Sequence, residues 1–594
     1  MAHNIAFLYN THMPKDNKKL EHIRHSLAHL LAAAVIELYP NAKQAYGPTT
    51  ENGFYYDFEF DTKITDSDLP KIEKRMRKIL PTWKSFKKDS VSKIDALKEF
   101  GSNIYKAELI EEKSGEGEKL SVYQSGEYRD FCKGGHVDDI KDINPDAFKL
   151  SHVAGAYWRG DENNTMLTRI YGVAFSTKAE LNEYLEMQEE AKKRDHRKLG
   201  RELDLFTFSN LVGSGLPMFT PKGTLLRNLI IEKIYSIQEK YGYEQVWIPH
   251  IAKRALYETS GHLDKFGDEL FKVQGKSKTE FVMKPMNCPH HIQIYASRPR
   301  SYKDLPIRYV EVTTNYRDEQ PGELLGLSRV RSITQDDGHV FCTEDQVEDE
   351  VKNIVDVIRS FYKKLGMFTN DTCWVSLSVR DPETPDVYLG DKKIWDTSEK
   401  ILEKVAKAEK LNYRKIPGEA SFYGPKLDFM FKDALGREWQ LATIQLDLNM
   451  PGRFGLEYTD NKGKKKTPVM IHRAIAGSLE RFLSVLIEHF NGEFPYWLSP
   501  VQVKVLPIAK AHNKYATIVF ETLRENGVRV ELDDENKTLG KKIRKAKLEK
   551  VPFFLVIGDE EVKNEQVTLE KRKGNAEKMS LDDLFSKLEK ESLL

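Results

Sequence analysis

The sequence predicts a multidomain protein that combines α+β and α/β units. Its 594 residues are enough for about four domains of roughly 150 residues each. Hydrophobic residues make up 40% and charged residues 31% of the chain, which is typical of a globular protein. Segments with helical and with strand periodicity alternate along the chain, and the pattern of apolar and charged residues changes several times. More than one hydrophobic core is therefore expected.

The first predicted domain covers residues 1–178. After a short polar lead over residues 1–19, EHIRHSLAHLLAAAVIELYP has the spacing of an amphipathic helix that ends at Pro40. GPTTENGFYYDFEF follows, and its Gly, Pro and aromatic residues indicate turns and strands. These signals predict an α+β domain. The highly charged segment 179–203 has few large apolar residues and predicts a solvated linker helix.

Two further domains are predicted, over residues 204–496 and 497–594. The first contains the strand-like runs RYVEVTTNYR, VMKPMNC and EWQLATIQLDLNM and the helix-like RAIAGSLERFLSVLIEHF. This pattern predicts an antiparallel sheet with flanking helices. In the second, VQVKVLPI, VRVELDD and VPFFLVIG alternate with two helical segments, which predicts a βαβαβ unit.

Charge and cysteine content limit the function. The formal net charge is +1, so a nucleic-acid contact would have to come from local basic clusters. Four cysteines are too few for a disulfide framework, which favours a reducing compartment and a cytoplasmic location. LLAAAVIELY, the longest apolar stretch, is shorter than the ~20 residues of a membrane span, and no signal peptide is recognisable. No membrane partner is expected.

Phosphate-binding loops are not supported by the sequence. Gly275-Lys276-Ser277 is similar to the end of a P-loop, but Leu270 stands where the first glycine is required. If ATP binds, side chains such as arginines must hold its phosphates. Arg317 and Arg329 flank a Pro-Gly loop between two strand-like runs, a hairpin that can present guanidinium groups to a nucleotide. Ordinary surface arginines are the alternative interpretation.

Two short motifs in the first domain suggest chemistry. His25 and His29 in HSLAH lie one helical turn apart on the same face, and Cys132 and His136 have the same spacing in CKGGH, beside Asp130. These four groups can bind zinc tetrahedrally or position a water for hydrolysis, and either pair alone is more often ordinary packing. In contrast, Cys288, His339 and His472 have no regular spacing, and from spacing alone each is expected to be a buried structural residue.

Taken together, these segments resemble bacterial-type threonyl-tRNA synthetases over nearly the whole chain. EQVWIPHI resembles class II motif 1, YVEVTTNYRDEQPGELLGLSRVRSITQDDGH resembles motif 2, and IHRAIAGSLERFL resembles motif 3. The resemblance implies an N-terminal editing domain, a class II catalytic domain and a C-terminal anticodon-binding domain. It also implies a small β-rich domain before the editing domain. Only about twenty polar residues precede HSLAH here, so this module is expected to be absent.

The implied activity is ATP-dependent ligation of threonine to tRNA(Thr) through a threonyl-adenylate, with Mg²⁺ accompanying ATP. The resemblance assigns Arg317 to the α-phosphate and the substrate carboxylate, Glu319 to adenine, and Arg481 to the γ-phosphate and adenine. It adds Arg329 and Lys426 as catalytic residues and Arg329, Gln440 and Thr443 as ATP contacts. The implied substrate contacts are Gln335, Asp337, Tyr423, Gln445 and, near the tRNA acceptor end, His262.

The resemblance also gives Cys288, His339 and His472 a role, as the ligands of one Zn²⁺ per subunit. Threonine would bind this ion through its amino and hydroxyl groups, which valine does not reproduce. Serine lacks only a methyl group, a difference worth about 1–3 kcal/mol, so a second, hydrolytic site is needed. The family places that site at His25, His29, Lys106, Asp130, Cys132 and His136.

For the C-terminal domain, the basic segment GKKIRKAKLEK predicts tRNA contacts by Lys541, Lys542, Arg544 and Lys545, a solvated helix face being the alternative. Motif 1 implies a homodimer. Two departures from the family pattern are Asp318 in motif 2, where the family has Asn, and the Gly134-Gly135 pair in CKGGH, where the family usually has Gly-Pro. Rival hypotheses are a synthetase for another amino acid, such as proline or serine, and a non-catalytic RNA-binding relative.

Overall fold

The computed structural model describes residues 17–115, 120–161, 163–263, 267–276 and 278–593. The described residues up to Glu190 form one compact unit and those from Ala191 form another. Most of the predicted polar lead lies outside the described residues, and residues 17–19 begin the first helix. Within the described part, no helix is both long enough and apolar enough to cross a membrane.

Helices occur throughout the described chain. In the first unit they are α1 (Asn17–Leu38), α2 (Leu69–Ile79), α3 (Lys93–Phe100) and α4 (Ile104–Gly115), and α5 (Lys178–Arg194) leads into the second. There they are α6 (His196–Glu202), α7 (Pro221–Gln238), α8 (Arg254–Ser260), α9 (Cys288–Ala296), α10 (Val347–Lys364), α11 (Lys392–Ala408), α12 (Met450–Arg453), α13 (Leu479–His489), α14 (Asn513–Glu525), α15 (Leu539–Leu548), α16 (Asp559–Asn564) and α17 (Leu581–Leu593).

Strands of the first unit are β1 (Lys43–Gln44), β2 (Thr49–Thr50), β3 (Gly53–Glu59), β4 (Lys87–Ser90), β5 (Ser121–Ser125), β6 (Tyr128–Phe131), β7 (Phe148–Tyr157) and β8 (Met166–Ala174). The second unit contains β9 (Phe206–Thr207), β10 (Met218–Phe219), β11 (Glu244–Gln245), β12 (Ile251–Lys253), β13 (Lys272–Val273), β14 (Phe281–Met283), β15 (Ile307–Tyr316), β16 (Ser332–Cys342), β17 (Cys373–Val379), β18 (Tyr413–Pro417), β19 (Lys426–Lys432), β20 (Glu438–Asp447), β21 (Tyr458–Thr459), β22 (Lys465–Lys466) and β23 (Val469–Ala474). Its last strands are β24 (Val503–Pro507), β25 (Val530–Leu532), β26 (Phe553–Ile557), β27 (Val567–Lys571) and β28 (Ala576–Met579).

The first unit is built on helix α1 and a five-stranded sheet. The sheet has the order β1-β3-β8-β7, with β2 paired to β3. Leu20, Ile23, Leu27, Leu31 and Val35 recur every three or four residues along α1 and are all buried in the core that it shares with the sheet. A separate three-stranded sheet, β4-β5-β6, ends immediately before Cys132.

The centre of the second unit is an eight-stranded sheet with the order β11-β15-β16-β23-β20-β19-β17-β18. It is antiparallel except for the two edge pairs, β11 with β15 and β17 with β18. Helices α10 and α13 contribute apolar side chains to the core that this sheet shares with them. The predicted antiparallel sheet with flanking helices is therefore confirmed.

The C-terminal part contains the predicted βαβαβ unit. β24 pairs in parallel with β25 and β26, and α14 and α15 connect these strands in sequence. Two antiparallel strands, β27 and β28, extend the sheet to the order β25-β24-β26-β27-β28. The α/β prediction is confirmed, and the two added strands complete the fold.

Three local predictions were wrong. The run VMKPMNC is a strand only as far as Met283, and Cys288 begins helix α9. RAIAG continues β23 to Ala474, and the helix starts at Leu479, where the Ser478 hydroxyl accepts a hydrogen bond from the Arg481 amide. The linker segment 179–203 contains two helices, because Asp195 caps the start of α6 by accepting from the Arg197 amide.

Candidate functional site

One face of the eight-stranded sheet collects polar side chains from four strands. His339 on β16 lies directly opposite His472 on β23, and His472 lies opposite Gln445 on β20. Gln445 in turn lies opposite Lys426 on β19. Directly opposed residues share a face of the sheet. Register therefore assembles a site that sequence spacing does not reveal.

Cys288 completes a buried three-residue cluster on this face. One ligand atom from each of Cys288, His339 and His472 lies within 4.8 Å of the others, so the cluster can hold a metal ion. The residues are 1%, 1% and 5% exposed, respectively. One sulfur and two imidazole nitrogens form a donor set that suits Zn²⁺, and three protein ligands leave a position for substrate.

The two imidazoles are oriented by partners that the sequence reasoning missed. His472 Nε2 is 2.9 Å from Asp447 Oδ2, and His339 Nδ1 is 2.7 Å from His291 Nδ1. The remaining nitrogens, His339 Nε2 and His472 Nδ1, lie 3.1 Å apart. Such partners hold a ligating ring in position and set its tautomer. The missing signal was tertiary, because Asp447 and His291 belong to different elements.

Burial makes this cluster unfavourable for charge. It raises the pKa of the Cys288 thiol well above its usual value and lowers the pKa of His339 well below its usual value. A divalent cation reverses the effect on the thiol, because it stabilises the thiolate as a ligand. The donor chemistry and the burial therefore both fit a resident metal ion.

Two predicted substrate residues lie beside the cluster on β16. Asp337 Oδ1 is 3.8 Å from His339 Nε2, and Asp337 Oδ2 accepts a hydrogen bond of 3.0 Å from Asn287 Nδ2. Gln335 lies two residues before Asp337 on the same strand, and its amide oxygen accepts from Asn315 Nδ2. Because alternate residues of a strand share a face, both side chains accompany His339.

The other predicted substrate residues surround the cluster from loops and neighbouring strands. The Tyr423 hydroxyl donates a hydrogen bond to Gln445 Oε1, and its ring centroid is 4.9 Å from that of His472. His262 Nε2 is 3.7 Å from Cys288 Sγ, and the residue is 1% exposed. His262 thus packs against the metal-ligand cluster.

A buried carboxylate, Asp428, links three residues predicted for catalysis or ATP binding. Lys426 Nζ lies 2.9 Å from Asp428 Oδ2. Gln440 Nε2 and Thr443 Oγ1 donate to Asp428 Oδ1 at 2.8 Å and 2.7 Å. Asp428 was missed by sequence reasoning, although its position two residues after Lys426 on a strand indicates the same face.

The predicted nucleotide arginines lie around the hairpin loop between β15 and β16. Arg329 Nε donates to Glu319 Oε2 at 2.8 Å, and Arg481 Nε donates to the carbonyl oxygen of Ser328 at 3.2 Å. Burial, and then the positive charges of Arg329 and Arg317, lower the pKa of Arg481. Burial also lowers the pKa of Arg317. Buried guanidinium groups that repel one another are stabilised by a bound anion, so this region suits a polyphosphate.

The first unit contains a second cluster. The ligand atoms of His25, His29, Cys132 and His136 all lie within 4.8 Å of one another. Cys132 Sγ is 3.4 Å from His25 Nε2 and 3.5 Å from His136 Nε2. The structure thus brings the HSLAH and CKGGH pairs together, one from helix α1 and the other from the loop after β6.

A hydrogen-bonded network adjoins this cluster. Lys106 Nζ lies 2.5 Å from Asp130 Oδ1, and the Tyr56 hydroxyl donates to Asp130 Oδ2 at 2.7 Å. Tyr128 donates to the same oxygen at 3.1 Å, and His29 Nδ1 is 3.5 Å from it. Sequence reasoning missed both tyrosines. The network opens into a cavity of about 560 Å³ that His25, Cys132 and Lys106 also line.

Protonation states limit what this second site can do. Burial raises the pKa of Cys132 to about 12 and lowers the pKa of His25 and, more strongly, of His29. Near neutral pH the thiol therefore keeps its proton and the imidazoles are neutral. A protonated thiol is a poor nucleophile, whereas a neutral imidazole can accept a hydrogen bond from water and so position it.

The basic helix α15 supports only part of the predicted tRNA contact. Lys541 and Arg544 are exposed, and Lys545 is half-buried. Lys542 is 3% exposed, and its ammonium donates to the carbonyl oxygens of Pro507 and Asp533 at 2.9 Å and 2.8 Å. The prediction for Lys542 is corrected accordingly, because a helix face that looks uniformly basic in sequence has one lysine turned into the domain.

Comparisons with known families follow this architecture. Residues 271–490 match the tRNA synthetase class II core domain (G, H, P, S and T), and residues 502–591 match the anticodon binding domain. Residues 120–171 match the threonyl and alanyl tRNA synthetase second additional domain. The three matches fall on the eight-stranded sheet, the C-terminal α/β part and the segment that contains Cys132 and His136.

Full-length relatives agree with these matches. The chain is 48% identical to the threonine–tRNA ligase of Rubrobacter xylanophilus over 93% of this chain and 85% of the relative, and 45% identical to that of Sulfurihydrogenibium sp. over 98% and 90%. A crystal structure of the RNA binding domain of threonyl-tRNA synthetase from Cryptosporidium parvum superposes with a TM-score of 0.64 at 36% identity, covering 67% of this chain and 99% of that chain. The chain therefore belongs to the threonine–tRNA ligase family of class II aminoacyl-tRNA synthetases.

Proposed function

We propose that this chain ligates threonine to tRNA(Thr) at the expense of ATP, through a threonyl-adenylate, and hydrolyses seryl-tRNA(Thr) in its first unit. The observation that carries the proposal is the meeting of Cys288, His339 and His472 on one sheet face beside Asp337. A metal-ligand set with an adjacent carboxylate suits an amino acid that also has a hydroxyl group.

Adenylate formation needs charge stabilisation rather than a protein nucleophile. A threonine carboxylate oxygen attacks the α-phosphorus of ATP, and pyrophosphate leaves with the electron pair of the broken P–O bond. Arg317 is proposed to stabilise the α-phosphate and the carboxylate, and Arg481 the departing phosphates, with Mg²⁺ bound to ATP. Fixed cations in a buried site act strongly because little reorganisation is required.

Further residues are proposed to contact the adenine and the phosphates of ATP. Glu319 is proposed to contact adenine, held in place by its ion pair with Arg329. Gln440 and Thr443 are proposed to face ATP, and Lys426 the reacting phosphates. All three are positioned by Asp428, which makes the hydrogen bonds and the ion pair described above.

Threonine selection is proposed to depend on Zn²⁺ held by Cys288, His339 and His472. When bound, the ion supplies Lewis-acid coordination to the substrate amino and hydroxyl groups. Asp337 accepts from the amino group, and Gln335, Tyr423 and Gln445 enclose the side chain. A site that requires the hydroxyl rejects valine far more strongly than an apolar pocket does, since such pockets discriminate only ~100-fold.

Serine also has an amino group and a hydroxyl group, so the zinc site does not exclude it. The second cluster is proposed to hydrolyse the seryl-tRNA(Thr) that results. Its neutral imidazoles, His25 and His29, can accept hydrogen bonds from a water molecule and position it at the ester bond of seryl-tRNA. Lys106 and Asp130 orient the substrate, and Cys132 and His136 shape the cavity by the contacts described above. The same four donors also match a tetrahedral metal site, which is the alternative use.

The remaining assignments concern the assembly as a whole. Lys541, Arg544 and Lys545 on α15 are proposed to contact tRNA. The proposed domains are 1–178 for editing, 179–203 as linker, 204–496 for catalysis and 497–594 for anticodon binding. A homodimer is proposed because Trp247 and Ile251, both in the motif 1 segment, are 76% and 44% exposed. The four free cysteines support a cytoplasmic location.

Metal analysis combined with amino-acid-dependent ATP–pyrophosphate exchange tests the proposal. One zinc per chain and exchange that is strong with threonine, weaker with serine and negligible with valine are expected. Exchange with proline instead would support a synthetase of other specificity. Absence of exchange with every amino acid, despite tRNA binding, would support a non-catalytic relative.

A further inference from the structure

His196, at the start of α6, makes hydrogen bonds that tie three elements together. Its Nδ1 is 2.6 Å from Glu488 Oε1 on α13, and its backbone amide donates to the same oxygen at 3.0 Å. On the other edge of the ring, the backbone amide of Leu327 donates to Nε2 at 3.0 Å. His196 is 4% exposed, so these contacts are shielded from water.

The hydrogen-bond pattern fixes the tautomer of this ring. A backbone N–H can only donate, so Nε2 must be the unprotonated acceptor and Nδ1 must carry the proton. That proton points at the Glu488 carboxylate, and Arg437 also donates to Glu488. The imidazole therefore connects the Glu488 carboxylate, which Arg437 also holds, to the backbone of the loop between β15 and β16.

The contact is close enough to require a glycine. Gly326 has a φ of +50°, and a Cβ at this position would lie 2.2 Å from His196 Nε2. A side chain at residue 326 would consequently displace either the ring or the loop. The imidazole occupies a notch that the glycine leaves open, and this is how Leu327 comes within hydrogen-bonding distance.

The anchored segment leads directly into the nucleotide-binding residues. After Leu327, the carbonyl oxygen of Ser328 accepts from Arg481 Nε, and Arg329 is paired with Glu319. Arg481 and Glu488 are seven residues apart on α13, about two helical turns, which places them on the same face of that helix. One helix thus carries both an ATP contact and the carboxylate that holds His196.

We propose that His196 is a positioning residue for ATP binding, which fixes the loop of Gly326, Leu327 and Ser328 against α13 through Glu488. The inference rests on the proposed function, because it takes Arg329 and Arg481 as ATP contacts. It adds a residue of the linker segment, outside the three class II motifs, to the requirements of the adenylation site.

Two substitutions separate the hydrogen bonds of the ring. In His196→Asn, the side-chain amide can still donate to Glu488, as Nδ1 does, but no atom reaches the Leu327 amide. In His196→Gln, the amide oxygen can replace Nε2 as the acceptor from Leu327. The anchoring role predicts that the Asn variant is impaired and that the Gln variant largely keeps the loop in place.

The measurements are threonine-dependent ATP–pyrophosphate exchange and hydrogen–deuterium exchange, both on the full-length chain. For His196→Asn we expect the KM for ATP to rise about five- to tenfold, the KM for threonine to change less than about twofold, and the amides of residues 325–329 to exchange faster. His196→Gln should stay within about twofold of the unaltered chain in all three. His512→Asn is the matched control, since His512 is also buried between a backbone amide (Ala509) and a carboxylate (Asp559), but in the C-terminal part.

The outcomes are distinguishable. Unchanged amide exchange in His196→Asn, or equal ATP affinity in the Asn and Gln variants, would overturn the inference. Faster loop exchange with an unchanged KM for ATP would support the anchor and contradict the proposed role of the loop in ATP binding. If the Asn variant does not fold, Gly326→Ala provides the second test, because its methyl group should displace the ring and reproduce the effects on the loop and on ATP.

Discussion

The three residues of the Cys288 cluster are brought together in different ways. His339 and His472 face each other because β16 and β23 pair in that register, whereas Cys288 lies in the first turn of α9. All three are nearly inaccessible to solvent, so each substitution changes a buried environment. The consequences should therefore be large and specific to the proposed metal-dependent chemistry.

Cys288→Ser should abolish metal binding. Serine is a much weaker zinc ligand than a thiolate, so zinc should fall from one equivalent per chain to background and threonine-dependent exchange by at least about 100-fold. Metal analysis and exchange assays measure both. Cys373→Ser is the control and should retain zinc, because Cys373 is also a buried free thiol but lies at the start of β17, outside the cluster. Full activity in zinc-free Cys288→Ser protein would contradict the assignment.

Neighbouring lysines on α15 should respond differently to substitution. Lys541→Glu combined with Arg544→Glu removes exposed positive charge, so the KM for tRNA should rise about five- to tenfold at low salt while ATP–pyrophosphate exchange is unchanged.

Lys542→Met removes two buried hydrogen bonds to carbonyl oxygens and should lower the free energy of unfolding by about 2 kcal/mol. Weaker tRNA binding by Lys542→Met without loss of stability would contradict this division.

At the scale of elements, the loop after β6 depends on its glycines. Gly134 and Gly135 have φ values of +108° and +92°, and a Cβ on Gly134 would lie 2.3 Å from the Tyr123 hydroxyl. Proline fixes φ near −65°, so Gly135 holds a conformation that proline does not adopt. This loop positions Cys132 and His136, and its backbone geometry is therefore part of the second site.

Gly134→Ala should selectively impair editing. A Cβ at residue 134 would lie too close to the Tyr123 hydroxyl, so the loop must shift, and deacylation of seryl-tRNA(Thr) should fall at least about tenfold while threonine charging is retained. Gly160→Ala is the matched control, because Gly160 also has positive φ, at +72°, and has nothing within 4 Å of its would-be Cβ. Undiminished deacylation by Gly134→Ala would contradict the assignment of hydrolysis to this cluster.

Sequence periodicity predicted the elements better than their junctions. Helix α1, strands β15, β20 and β24, and the βαβαβ order follow from apolar spacing, which is local. The ends of β14 and β23 were misplaced because local chemistry starts the helices that follow them, and periodicity does not record it: Ser478 caps α13, and Pro289 lies in the first turn of α9.

The sequence predicted the site residues that are close together in the chain better than those that meet only after folding. The HSLAH and CKGGH pairs were visible because each lies within five consecutive residues. The Cys288, His339 and His472 cluster depended on resemblance, since these residues meet only after strands distant in sequence pair. Tyr56 and His196 were missed because their roles arise from tertiary hydrogen bonds with residues far along the chain. Asp428 was missed because its partners Gln440 and Thr443 reach it only when β19 and β20 pair.

At the scale of the whole molecule, the two clusters lie in different compact units. The His25 cluster belongs to the unit that ends at Glu190, and the Cys288 cluster to the unit that begins at Ala191. Each unit has its own hydrophobic core. Charging and editing should consequently be separable by substitution, because neither site draws a ligand-set residue from the other unit.

The assembly state provides a further test. Trp247 is 76% exposed, so a dimer interface built on motif 1 should bury it and lose affinity when it is replaced. The unaltered chain is expected to sediment as a dimer of 68.6 kDa chains, and Trp247→Asp as a monomer. Leu548→Asp, at an exposed apolar residue on α15, is the control and should remain dimeric. A monomeric unaltered chain would contradict the proposal.

The facing of His339 and His472 across β16 and β23 also constrains how such a chain can vary over evolution. Side chains alternate between the two faces of a strand, so inserting or deleting one residue ahead of His339 within β16 would turn its imidazole toward the opposite face. Length changes are tolerable only outside the paired segments, for example in the loop around Asn461 between β21 and β22. The proposed metal site therefore depends on the number of residues that precede His339 in β16 as well as on the types of its ligands.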